Sequence, residues 1–125
     1  MGIFDSMFKT QNEPLWPGIT IQSKLNLEVL IADSFTRTQL IFKHSTRCSI
    51  SRYVLSDFIA HFTYSSDEFT AHYLDLLNYR EISSQIAEQF VVTHQSPQLL
   101  VVKNGKVVAN ASHEGINDLQ LSTFL

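Results

Sequence analysis

The chain has a single cysteine, Cys48, among its 125 residues, so no disulfide can close within it and any redox chemistry must involve a second molecule. That scarcity excludes the secreted disulfide scaffolds and every thiolate metal site needing two cysteine ligands from one chain. It fits a reducing, cytoplasmic setting. Charge is also sparse at 17%, against 44% hydrophobic and 11% aromatic residues, a balance too apolar for a solvated disordered tail. Long apolar runs are missing: no window approaches 18 residues, and the N-terminus lacks the layout of a secretory signal. Basic residues are the minority, nine against twelve acidic for a net charge of −3, which argues against phosphate-backbone binding. No nucleic acid and no membrane partner is expected. Met1-Gly2-Ile3-Phe4-Asp5-Ser6 matches a myristoylation pattern, but no polybasic patch or second cysteine accompanies it. Asn110-Ala111-Ser112 matches a glycan acceptor, which has meaning only in a secreted protein.

What is present is enough for one domain, which at this length buries about two-thirds of its extended surface. Residues 1–15, with Pro14 close to Trp16 and Pro17, show no helical or strand period and form a lead-in segment; residues 16–125 form the domain. Ile19–Ile21 is a short β-prone piece, followed by an expected helix over Ser23–Ser34 and a compact apolar strand over Leu40–Lys43. Leu55, Phe58, Ile59 and Phe62 share the face of a helix that opens at Cys48. Phe69–Leu76 suits a strand. Asn78 is the expected N-cap of the next helix, with Glu81 completing a capping box and Ile82, Ile86, Ala87 and Phe90 following. Beyond Pro97, two strands flank Asn104-Gly105, a pairing favoured in type I′ hairpins. Ile116, Leu119 and Phe124 predict a short closing helix over 114–124.

The order βαβαβα, then ββα, makes the early strands parallel and adds an antiparallel edge. This is the layout of a thioredoxin-like α/β fold: a central mixed sheet, flanking helices, and a C-terminal hairpin plus helix. Function in such sheets sits beyond the carboxyl ends of the parallel strands, where Cys48 falls.

A thiol at a helix N-terminus faces unpaired N–H groups and the positive end of the helix dipole, which favour the thiolate. Between Ser34 and Ser56 the chain holds Arg37, Lys43, Arg47 and Arg52 but no acidic residue, so the local field suits an anionic thiol or an acidic surface. Arg47 is the foremost candidate. Thiolate character alone adds little speed, because nucleophilicity falls with basicity; recognition and geometry must supply the rate. Ser51 stands where a dithiol enzyme carries its resolving cysteine, and its hydroxyl can donate to the thiolate without displacing a partner sulfur. Ser96-Pro97 is placed where thioredoxin-like chains carry a cis-proline facing the active cysteine. His44, four before Cys48, is expected to be structural, whereas His94 is either a groove or a surface residue. His61, His72 and His113 form no pair at ligand spacing, so no metal site is expected.

Phe42-Lys43-His44-Ser45-Thr46-Arg47-Cys48-Ser49-Ile50-Ser51 resembles the signature of the monothiol bacilliredoxins, thioredoxin-like proteins of the bacillithiol system. Tyr73-Leu74-Asp75-Leu76, Tyr79-Arg80, Ile82-Ser83, His94-Gln95-Ser96-Pro97-Gln98, Lys103-Asn104-Gly105 and Ala111-Ser112-His113 support the likeness in the same order. The likeness spans residues 16–116. It implies an enzyme that takes bacillithiol from bacillithiolated client proteins onto Cys48. No cofactor is implied; bacillithiol, or a related low-molecular-weight thiol, is the co-substrate. Cys48 and Ser51 are then the catalytic pair, with Thr46, Arg47, Ser49, Ser96 and Pro97 around the substrate, in a monomer. Ser49 departs from the proline frequent after the family's cysteine, which alters stiffness and adds a donor.

Two readings of other classes stand beside it. Monothiol glutaredoxins also use Cys-x-x-Ser and share an iron–sulfur cluster between chains, but Cys48-Ser49-Ile50-Ser51 is not Cys-Gly-Phe-Ser and their Gly-Gly pair is missing. The other is a thioredoxin-like interaction module with an inert cysteine.

Overall fold

The computed structural model describes residues 18–125; the lead-in segment, the start of the domain at Trp16 and the myristoylation pattern lie outside them. The sheet is built around β2 (Thr38–His44), all seven residues of which are buried. A strand with neighbours on both edges and helices on both faces loses its polar alternation, which is why Leu40-Ile41-Phe42 reads as a continuous apolar run. Its parallel neighbour is β3 (Phe69–Asp75), itself paired in parallel with the two-residue β1 (Ile19–Thr20). On the other side β2 pairs antiparallel with β4 (Gln98–Lys103), which turns into β5 (Lys106–Ser112). The strand order is β1-β3-β2-β4-β5, a mixed five-stranded sheet of the expected α/β class.

Two apolar layers sandwich this sheet. Leu40 and Phe42 point to the side of α2 (Ser49–His61), where they meet Val54, Leu55 and Phe58. Ile41 points to the other side, where Leu27 and Leu30 of α1 (Lys24–Asp33) and Ile82 and Ile86 of α3 (Arg80–Phe90) pack. The alternation assigns neighbouring residues of β2 to opposite layers. α1 starts one residue later than expected, with Ser23 as its N-cap: the Ser23 hydroxyl accepts the Asn26 N–H at 3.4 Å. The hairpin also forms as expected, with Asn104 at φ 55° and Gly105 at φ 76°, the double positive φ of a type I′ turn. The turn docks on the end of α1, where the Ser34 hydroxyl accepts the Gly105 N–H at 2.8 Å.

Two local expectations are corrected. Tyr79, not Asn78, caps α3, because the Asn78 amide turns back to donate to the Asp75 carboxylate at 2.7 Å. The closing helix is two 3-10 turns, His113–Asp118 and Leu121–Phe124. Its buried anchors are Ile116 and Leu121, one in each turn. Entry through His113 at φ 55° and the flexible Gly115 disfavour α-helix nucleation.

Candidate functional site

The carboxyl end of β2 carries Lys43 and His44, and a four-residue turn then delivers Cys48 as the N-cap of α2. Cys48 is half-buried. Its N–H donates to the Ser45 carbonyl at 3.2 Å, and its own carbonyl accepts the Arg52 N–H at 3.0 Å. The cysteine makes no side-chain capping bond, so its sulfur is not consumed by the helix start. Thr46, Arg47, Ser49 and Arg52 are exposed around it and can reach an incoming molecule.

β4 starts beside this turn, since Lys43 is the register partner of Gln98. The preceding Ser96–Pro97 peptide is cis, and the loop carrying it is tied down by Gln98. That buried side chain donates to the Thr93 carbonyl at 3.0 Å and accepts the Gln95 N–H at 3.3 Å. The Cys48 turn and the proline loop therefore leave the sheet at the same end. The Ser96 hydroxyl is buried and has no hydrogen-bond partner among the described residues.

Ser51 lies in the first turn of α2. It is wholly buried; its hydroxyl accepts the Ser45 N–H at 3.1 Å and lies 2.8 Å from His44 Nδ1. Those contacts commit it to the loop before the cysteine rather than to the sulfur. His44 is structural, as its place at a strand end suggested. It is 4% exposed, its ring lies 5.7 Å from that of Tyr73, and burial, opposed by Asp75 and reinforced by Arg52, lowers its pKa to about 4. A neutral imidazole at neutral pH forms no ion pair with a thiolate at Cys48.

Composition misplaced two cations: Arg37 lies before the start of β2, at the far end of that strand from Cys48 and 4.0 Å from Asp67, and Lys43 is the other. It is 0% exposed, so it is not part of a cationic surface around Cys48. Its amine donates to the Ser83 carbonyl at 3.1 Å on α3 and meets His94 Nδ1 at 3.3 Å. Burial lowers its pKa to about 8. An ammonium can only donate, so His94 Nδ1 accepts and the proton of the neutral ring sits on Nε2. Burial and then the Lys43 charge push the His94 pKa down, which favours that form. The signal for Lys43 was its place in β2: the residue after Phe42 must point to the layer of α1 and α3. Among the described residues no group of three or more His, Cys, Asp or Glu side chains is disposed to hold a metal ion, and no helix is long and apolar enough to cross a membrane.

The sequence profile of the monothiol bacilliredoxin BrxC matches residues 19–121, taking in β1, the Cys48 turn, the proline loop and the hairpin. The chain belongs to the monothiol bacilliredoxin BrxC family. A solved structure described as a candidate oxidoreductase with a thioredoxin fold is 31% identical, with a TM-score of 0.72 over 85% of this chain and 91% of its own. Thioredoxin from Malassezia sympodialis superposes with a TM-score of 0.68 at 15% identity, over 89% and 91% of the two chains. For Fasciola hepatica thioredoxin the values are 0.65 and 19%, over 85% and 96%. The fold is thioredoxin-like, and this bacilliredoxin-family chain is a redox protein of that fold.

Proposed function

We propose that this protein removes bacillithiol, or a related low-molecular-weight thiol, from mixed disulfides on client proteins by a monothiol mechanism at Cys48. The observation that carries the reading is the chain's sole cysteine, half-buried at the N-cap of α2 at the sheet end that carries cis-Pro97, within the BrxC match. The Cys48 thiolate attacks the bacillithiol sulfur in line with the client disulfide. A Cys48–bacillithiol bond forms, the client sulfur–sulfur bond breaks, and the client leaves as a thiolate. Ser51 cannot resolve this product, so a second thiol must attack and return Cys48 to the thiolate. Arg47 attracts an anionic thiol, while Thr46, Ser49, the Ser96 hydroxyl and the Pro97 loop hold the disulfide in line. The client proteins and the thiol are the partners, and the chain acts as a monomer in a reducing, cytoplasmic compartment.

Intact mass, followed over time after mixing with a bacillithiolated client at neutral pH, tests this. One bacillithiol adduct should move from client to Cys48, and Cys48→Ser should abolish it. Absence of transfer with Cys48 free and the fold intact would reject the reading and leave an inert module or, if the purified protein is brown with visible absorbance, a cluster carrier.

A further inference from the structure

Two consecutive residues of β2 face opposite layers of the molecule, and each ends on a different one of the two loops at this end of the sheet, the Cys48 turn and the proline loop. His44 turns toward α2, where Nδ1 meets the Ser51 hydroxyl that accepts the Ser45 N–H. The Ser45 carbonyl in turn accepts the Cys48 N–H at 3.2 Å. This chain runs unbroken from a buried strand residue to the backbone of the cysteine. Lys43 turns toward α3, where its amine bridges the Ser83 carbonyl and His94, the residue three before cis-Pro97. No acidic side chain accounts for this buried amine among its observed contacts. Burying an amine on two neutral acceptors costs stability that a methionine of similar length would not, so its value must lie in what it holds.

We infer that Lys43 and His44 are paired positioning residues: His44 sets the Cys48 nucleophile through Ser51 and Ser45, and Lys43 sets the substrate-holding proline loop through His94. The inference rests on the reading that Cys48 attacks a disulfide, and it gives the cysteine turn and the proline loop separate supports. Small misplacements of reacting atoms are expensive in rate, so each half governs a different quantity. Loosening His44 affects every reaction of the sulfur. Loosening Lys43 affects only reactions in which a disulfide must be held by the proline loop.

The experiment compares Cys48 alkylation by iodoacetamide, which needs only the sulfur, with its exchange against a short peptide mixed disulfide, which needs the loop. Neither probe contains bacillithiol, so the result stands apart from the identity of the natural thiol. His44→Phe and Ser51→Ala should slow both reactions by about tenfold, and the double variant should be no slower than either single one. Lys43→Met and the surface-accessible His94→Ala should slow exchange about fivefold or more while changing alkylation less than about twofold. Hydrogen exchange supplies a readout independent of chemistry: the Ser45 and Cys48 amides should lose protection in the first pair, and the Gln95 amide in the second. Equal effects of all four variants on both reactions, or loss of protection in both loops from either pair, would overturn the division. A wild-type protein that is alkylated but never exchanges with disulfides would instead overturn the proposed function, and the amide pattern would still decide the positioning.

Discussion

The Ser51 hydroxyl lies 2.8 Å from His44 Nδ1 and accepts the Ser45 N–H, so the residue three places after the only cysteine ties the end of β2 to the first turn of α2. Its place is that of a resolving thiol, but its work is to fix the loop.

Ser51→Ala should therefore cost stability as well as reactivity. Truncation strands the Ser45 N–H and His44 Nδ1 in a buried position, a loss of about 1–3 kcal/mol. Urea unfolding should show a lower midpoint at unchanged slope; a midpoint equal to wild type would show that the hydroxyl does not hold the loop.

Stability should rise with pH in two separate windows. Burial brings His44 and His72 from 6.5 to about 4, so between those values the unfolded chain binds more protons and stability is lost as pH falls. Each histidine contributes on the order of 3 kcal/mol once both states are fully titrated. Burial likewise brings Lys43 from 10.5 to about 8. The unfolded lysine keeps its proton across that interval, so stability increases from pH 8 toward 10.5. Urea unfolding at pH 4.5, 7 and 9.5 reads both windows, and Lys43→Met should erase the alkaline gain alone. An alkaline gain of equal size in that variant would contradict the assignment.

Arg47→Ala should slow capture of an anionic thiol about three- to tenfold and leave a neutral thiol nearly unaffected. The difference should shrink as salt rises, because Arg47 is exposed and its field is screened. Equal slowing of both thiols would remove the charge from its role.

Gly105→Ala should destabilise the hairpin by about 1–2 kcal/mol. The residue sits at φ 76°, and an added Cβ would lie 3.1 Å from Phe35 Cζ. Thermal unfolding of the variant checks this; an unchanged midpoint would mean that the turn relaxes to another type.

Much of the fold was legible because it rests on local patterns. The buried run of β2, the α2 face through Leu55 and Phe58 and the Asn104-Gly105 turn are each set by residues near in sequence. The failures came where another contact, near or far in sequence, outcompeted the expected one. Asn78 left its capping position for Asp75, and the C-terminal residues gave up a helix to seat Ile116 and Leu121 against the layer of α2.

The sequence by itself determined that this protein has one cysteine, that a helix begins at it, and that an alternating βα order would put it at the end of a parallel strand. Tertiary structure decided what surrounds that thiol. Strand pleating sends Lys43 and His44 to opposite layers, burial sets their protonation, and pairing of β2 with β4 brings the proline loop to the same end of the sheet. None of these follows from spacing along the chain, because each depends on which neighbour the folded sheet supplies.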